Sequence, residues 1–220
     1  MARLYVLDLD STAVKVEQHL DAHMLGIISQ QTGIAHPNVS AALPRYLEQH
    51  GGAFSISGFI KQLAHEYRIE QTDALTRRIG LLTEEAMRSE VIAYPDTLPV
   101  IRRLKDRHAT VTVLTHGGAD YQELKLRAAG LDTLLDQYSI VKEAAQKPEV
   151  MEVFVQVFAG GNEERVTFVD DRLSNLTDMR ERFPRMEILH MQRQPVLGGK
   201  LPETAAEGEY RVITDLLALI

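Results

Sequence analysis

The chain contains no cysteine, which excludes disulfide bonds, thiolate catalysis and cysteine-ligated zinc but assigns no compartment. Nowhere does it hold the roughly 18 consecutive apolar residues that crossing a bilayer requires. The opening MARLYVLDLD lacks the long apolar segment of a signal peptide, because acidic residues arrive at Asp8. A cytoplasmic location is the expectation. Basic excess is missing too: 24 Lys and Arg stand against 31 Asp and Glu, a formal net charge of -7. That balance speaks against nucleic acid and anionic membranes as partners. It leaves room for a phosphorylated small molecule, since a local cation overrides the global field. There is no internal repeat and no low-complexity tract.

What is present suffices for a real core. Hydrophobic residues make up 45% of the 220 and charged residues 25%, an ordinary soluble composition. Four short aliphatic runs read as strands buried on both faces: LYVL (4–7), ATVTVLT (109–115), RVTFV (165–169) and MEILHM (186–191). Helical patterns separate them: DTLPVIRRLKDRH, ADYQELKLRAAG, KPEVMEVFVQVFAGG and RLSNLTDMRERFP. Strands alternating with helices predict an α/β, Rossmann-like parallel sheet. From about Lys15 to Tyr94 no strand is evident, only amphipathic helix signals such as Ile56, Phe59, Ile60, Leu63 and Tyr67. The expected organisation is a core domain of residues 1–14 and 95–220, with an α-helical cap domain of residues 15–94 inserted after the first strand.

Ligands bind open α/β sheets at the carboxyl ends of the strands, so the residues at those ends matter most. Asp8 and Asp10 come after the first strand, Thr115 and then His116 follow TVTVL, and Asp170 and Asp171 come after the third. Lys147 opens a helix in AQKPEV. Asp8, Asp10 and Asp170, with Asp171, supply hard oxygen ligands of the kind Mg²⁺ prefers. A carboxylate can also attack phosphorus, while a hydroxyl and an ammonium, Thr115 and Lys147, hold the phosphoryl oxygens.

These residues carry a resemblance. LDLDST, VLTHG, the Lys147-Pro148 pair and FVDD stand in the order of the four motifs of the haloacid dehalogenase-like hydrolases, most of which are phosphatases. The resemblance spans the whole chain and implies a fold with a helical cap between the first two motifs. It implies that Asp8 is the nucleophile and a ligand of Mg²⁺. Asp10 would be the general acid and base, with its main-chain carbonyl as a further metal ligand. Thr115 and Lys147 would hold the phosphoryl group, and Asp170 and Asp171 would ligate the metal. The expected activity is Mg²⁺-dependent hydrolysis of a small phosphorylated metabolite through an aspartyl-phosphate.

Other residues carry weaker signals. Asp171 could instead cap the following helix. Asn175 could orient the fourth-motif loop, but a place on the exposed face of the helix is the expectation. His116 is a candidate substrate contact. His19 and His23, four apart, lack a third zinc ligand at a recognised spacing and read as exposed residues. Arg45, Lys61, Arg77 and Arg78 read as a solvated face. Glu17 and the Gly117-Gly118 pair resemble features of phosphoserine phosphatases, although VDDRLSN departs from their Gly-Asp-Gly pattern. The Gly and Pro content of MQRQPVLGGKLPETAAEGEY predicts a loop. Asp10 disfavours carbon–halogen displacement, where no alkoxide needs an acid. A phosphomutase and a non-catalytic phosphate-binding protein remain the competing functions.

Overall fold

The computed structural model describes residues 2–16, 20–70, 72–193, 203 and 209–220. Glu17, His19 and nearly all of the Gly- and Pro-containing segment after Arg193 lie outside the described residues. In chain order, β1 (Leu4–Leu7) and β2 (Val14–Val16) precede four helices, α1 (Leu20–Thr32), α2 (His36–Gln49), α3 (Ile56–Tyr67) and α4 (Thr72–Glu90). The chain continues through β3 (Val91–Ala93), α5 (Thr97–Asp106), β4 (Thr110–His116), α6 (Ala119–Ala128), β5 (Gln137–Val141) and α7 (Lys147–Ala159). It then forms β6 (Val166–Asp170), α8 (Leu173–Arg182), β7 (Glu187–Met191) and β8 (Arg211–Ile213).

Six strands make one parallel sheet in the order β5-β4-β1-β6-β7-β8, the α/β Rossmann-like architecture that the strand–helix alternation predicts. The four strands expected from their aliphatic runs begin and end within one residue of the predicted bounds. β5 and β8 have no counterpart in the sequence reading. They are the sheet's two edges; among β5 residues only Val141 is buried and among β8 residues only Ile213, so neither shows an apolar run.

The expectation of no strand between Lys15 and Tyr94 is wrong. β2 and β3 pair antiparallel, Val14 opposite Ala93 and Val16 opposite Val91, so the two ends of the helical segment meet as a ribbon. The boundary expected after Val14 falls inside β2. Each strand is three residues long, too short for a period, and they lie more than seventy residues apart. Further bonds fasten the same crossing. Ala13 O accepts from Thr97 Oγ1 at 2.8 Å and from Tyr94 N at 3.2 Å. The buried Arg193 guanidinium donates to Thr12 O at 2.9 Å and to Asp96 Oδ1 at 2.9 Å, and lies 4.1 Å over the Tyr94 ring.

Alternation along the strands sorts the core onto the two faces of the sheet. Leu4, Val6, Leu114 and Phe168 pack with Met151 and Phe154 of α7 and Leu176 and Met179 of α8. Leu7, Val113 and Val169 join Leu104 of α5 and Leu126 of α6. That second cluster continues into α1–α4 through Met24, Ile28, Tyr46, Phe59, Leu63 and Ile79. Each such buried side chain contributes about 1.5–3 kcal/mol. The approach of α3 to α6 depends on Gly118, where an added Cβ would fall 2.0 Å from Phe54 O. Around that contact Asp120 Oδ2 accepts from Ser57 N at 2.8 Å and Ser55 Oγ at 3.0 Å, and the Phe54 and Tyr121 rings meet edge-on at 5.0 Å.

Candidate active site

Register assembles the site. With Leu7 opposite both Val113 and Val169, the next residue, Asp8, comes level with Leu114 and Asp170, and Thr115 stands one position beyond. Asp8 N donates to Val169 O at 2.8 Å, extending the ladder to Asp8 itself. Lys147 reaches this point from the first turn of α7, and Thr115 is buried at the end of β4.

The Lys147 ammonium is the hub, 2.6 Å from Asp8 Oδ1 and 2.7 Å from Asp170 Oδ2, with all three residues buried. Asp171 completes the group: one carboxylate oxygen each from Asp8, Asp170 and Asp171 lie within 4.8 Å of one another. Burial pushes the Asp8 carboxyl well above the usual carboxylate range; Lys147 opposes that, and Asp170 and Asp171 add to it. Asp171 is pushed up to about 7, first by burial and then by Asp170, with Arg172 working against both. Burial acts to lower the Lys147 pKa, but Asp170 and Asp8 more than offset it and hold the ammonium charged. One ammonium therefore faces three carboxylates. An all-oxygen set with this excess of negative charge fits a hard divalent cation such as Mg²⁺.

Asp170 is oriented by its own helix. Its Oδ1 accepts from Arg172 N at 2.9 Å and from Asn175 Nδ2 at 3.0 Å, and its Oδ2 from Asn175 Nδ2 at 2.9 Å. The surface reading of Asn175 is thus corrected: it is buried and holds Asp170, because the first turn of α8 folds back over the end of β6. A lone Asn on a polar helix does not by itself decide between orienting the loop and facing solvent.

Asp10 lies outside the three-carboxylate group. It sits in a tight turn in which the N–H groups of Ala13 and Val14 both donate to Leu9 O at 2.9 Å and Ser11 adopts φ 59°. Its carboxylate is gripped from α6: Lys125 Nζ is 2.8 Å from Oδ2 and 3.0 Å from Oδ1, and Gln122 Nε2 is 3.2 Å from Oδ2. Burial would raise the Asp10 pKa, but the Lys125 charge prevails and holds it below the ordinary value. The same Gln122 amide donates to His116 O at 2.7 Å, tying Asp10 to the end of β4. Sequence reading missed Lys125 and Gln122, which appear there as two more polar residues of an amphipathic helix; their three-residue spacing was the one available signal.

His116 is half-buried, with Nε2 3.3 Å from Arg172 Nη1. Burial, Lys147 and Arg172 depress its pKa to about 4, so the ring is neutral at pH 7. Arg45, Lys61, Arg77 and Arg78 are exposed on α2, α3 and α4, as expected, and Arg45 pairs with Glu66 at 3.4 Å. His23 is likewise exposed. No helix among the described residues is long and apolar enough to cross a membrane.

Comparison with known proteins agrees with the fold. A solved structure described as a predicted phosphoglycolate phosphatase from Haemophilus somnus 129pt superposes with a TM-score of 0.61 at 14% identity, covering 99% of this chain and 96% of that one. One described as a candidate β-phosphoglucomutase from Thermotoga maritima gives 0.59 at 11% identity over 99% and 97%. L-2-haloacid dehalogenase from Xanthobacter autotrophicus gives 0.57 at 15% over 100% and 97%. At these identities the likeness is one of fold. No curated protein matches. The family model of the haloacid dehalogenase-like hydrolases matches residues 2–177, the span that holds Asp8, Thr115, Lys147 and Asp170, and the chain belongs to that family.

Proposed function

We propose that this chain is a Mg²⁺-dependent phosphatase acting on a small phosphorylated metabolite in the cytoplasm, with Asp8 as nucleophile. The observation that carries the reading is Lys147 bridging Asp8 and Asp170 while Asp171 adds a third carboxylate. Bound by Asp8, Asp170, Asp171 and the main-chain carbonyl of Asp10, Mg²⁺ would supply the positive charge that offsets the phosphoryl oxygens. Lys147 favours the ionised form of Asp8 and shares with Thr115 the task of holding those oxygens. An Asp8 oxygen bonds to phosphorus as the ester P–O bond breaks, and Asp10 gives its proton to the departing alkoxide. Asp10, now ionised, takes a proton from water as that water attacks the aspartyl-phosphate; phosphate leaves and Asp8 is restored. Lys125 favours the ionised form of Asp10 needed in the second half. A phosphoryl dianion beside Asp10 favours the protonated form needed in the first. A halide is too weak a base to need such a proton, so Asp10 supports phosphate ester over carbon–halogen chemistry.

Residues 15–94 are assigned as the cap over a core of residues 1–14 and 95–220, with substrate selection in the cap. The net charge of -7 supports a small-molecule partner over nucleic acid or membrane. The test is hydrolysis of p-nitrophenyl phosphate and a panel of metabolite phosphates, with and without Mg²⁺, beside Asp8→Asn. Turnover that requires Mg²⁺ and disappears in the variant is expected. Turnover no greater than that of Asp8→Asn across the panel would overturn the assignment.

A further inference from the structure

The cations of the site differ in how they are used. Lys147 is taken up by Asp8 and Asp170, and Lys125 by Asp10. Arg172 is not: among the described residues no carboxylate lies within ion-pairing distance of its exposed guanidinium. Its side chain meets His116 instead, Nη1 to Nε2 at 3.3 Å. A guanidinium only donates, so Nε2 is the acceptor and the imidazole hydrogen sits on Nδ1. That Nδ1 is buried and has no hydrogen-bond partner. The pair therefore holds one positive charge that is in no ion pair among the described residues, and an N–H donor without an acceptor. It stands at the strand ends: His116 directly follows Thr115, Arg172 directly follows Asp171, and the Arg172 main-chain N–H caps Asp170.

Resting on the phosphatase reading, we infer that Arg172, steadied by His116, receives a second anionic group on the substrate, so that the preferred substrates are phosphomonoesters with a carboxylate or second phosphate a few bonds from the ester. A planar guanidinium suits either anion because both accept its paired N–H groups. The group being transferred is already provided for by Thr115 and Lys147. Placing Arg172 beside the metal carboxylates leaves it free to attract an anion while its neighbour Asp171 is occupied by the cation.

The experiment uses the full chain with saturating Mg²⁺ and two matched pairs of esters. Ethyl phosphate is compared with 2-phosphoglycolate, and propyl phosphate with 1,3-propanediol bisphosphate; the first pair reports a carboxylate and the second a phosphate. In the wild type kcat/KM is expected to be about tenfold higher for at least one anion-bearing ester than for its neutral match. Arg172→Gln should erase that preference through a larger rise in KM on the anion-bearing esters than on the neutral ones, and Arg172→Lys should restore part of it. Melting temperature checks that the variants fold, as an exposed side chain predicts. Equal losses on neutral and anion-bearing esters would place Arg172 at the metal carboxylates and overturn the inference. So would a wild type with no preference, or a preference that survives Arg172→Gln. Failure to hydrolyse any ester would overturn the phosphatase reading itself, and this inference with it.

Discussion

Replacing Lys147 by Met removes, among the described residues, the one ammonium ion-paired with Asp8 and Asp170, while roughly keeping its buried volume. Lys147 is 1% exposed, and its ion pairs at 2.6 and 2.7 Å are closed to solvent. Taking one partner from a buried pair leaves uncompensated charge and costs about 3–5 kcal/mol. For a chain of this size each kcal/mol moves Tm by about 2–4 °C, so a fall of roughly 6–20 °C is expected at pH 8 without divalent cation. The loss should depend on pH with a definite sign. Asp171 is raised to about 7 and Asp8 is raised as well, both through burial and carboxylate crowding. A carboxyl whose folded pKa lies above its unfolded one contributes stability that is full below about pH 4 and lost as pH climbs through the folded value. Metal-free protein should therefore be more stable at pH 5 than at pH 8. In Lys147→Met, where Lys147 no longer opposes the crowding and Arg172 still acts on Asp171, that difference should widen. Mg²⁺ at millimolar concentration should restore part of the Tm at pH 8 and little at pH 5. Calorimetry at both pH values, with and without Mg²⁺, is the assay. A Tm unchanged by the substitution at pH 8, or a deficit that grows on acidification, would refute the electrostatic account of the site.

Asn175→Ala deprives both Asp170 oxygens of a donor, and the apparent Mg²⁺ affinity in activity titrations should fall about 10–100-fold with smaller change in kcat at saturation. Gly118→Ala puts a Cβ 2.0 Å from Phe54 O, so the turn before α3 must shift; urea unfolding should show a loss of about 1–3 kcal/mol. Lys125→Met removes the charge that holds Asp10 below its ordinary pKa, so the acid limb of the kcat profile should move to higher pH. An acid limb that stayed in place would separate Lys125 from the chemistry.

The position of the site was readable from one dimension because a parallel sheet gathers the carboxyl ends of its strands. Once LYVL, TVTVLT and VTFV are recognised as strands, Asp8, Thr115 and Asp170 must emerge on one edge. Lys147 is placed by the motif order, as the first residue of a helix crossing back along the sheet. What escaped were relations that no local period encodes. Asn175 and Asp170 are five residues apart, yet their contact exists only because α8 turns over the strand end. Lys125 and Asp10 are separated by 115 positions, and only the packing of α6 beside the first loop brings them to 2.8 Å. β2 and β3 are each three residues long and acquire their structure from one another.

The sequence by itself determined which chemical groups stand at the strand ends, since alternation and apolar runs are properties of neighbouring residues. Tertiary structure alone decided how those groups are held: which cation neutralises which carboxylate, and which cation, Arg172, has no ion pair among the described residues. Those pairings depend on distances between elements remote in the chain, and electrostatic energy in a buried site is set by such distances rather than by order along the backbone.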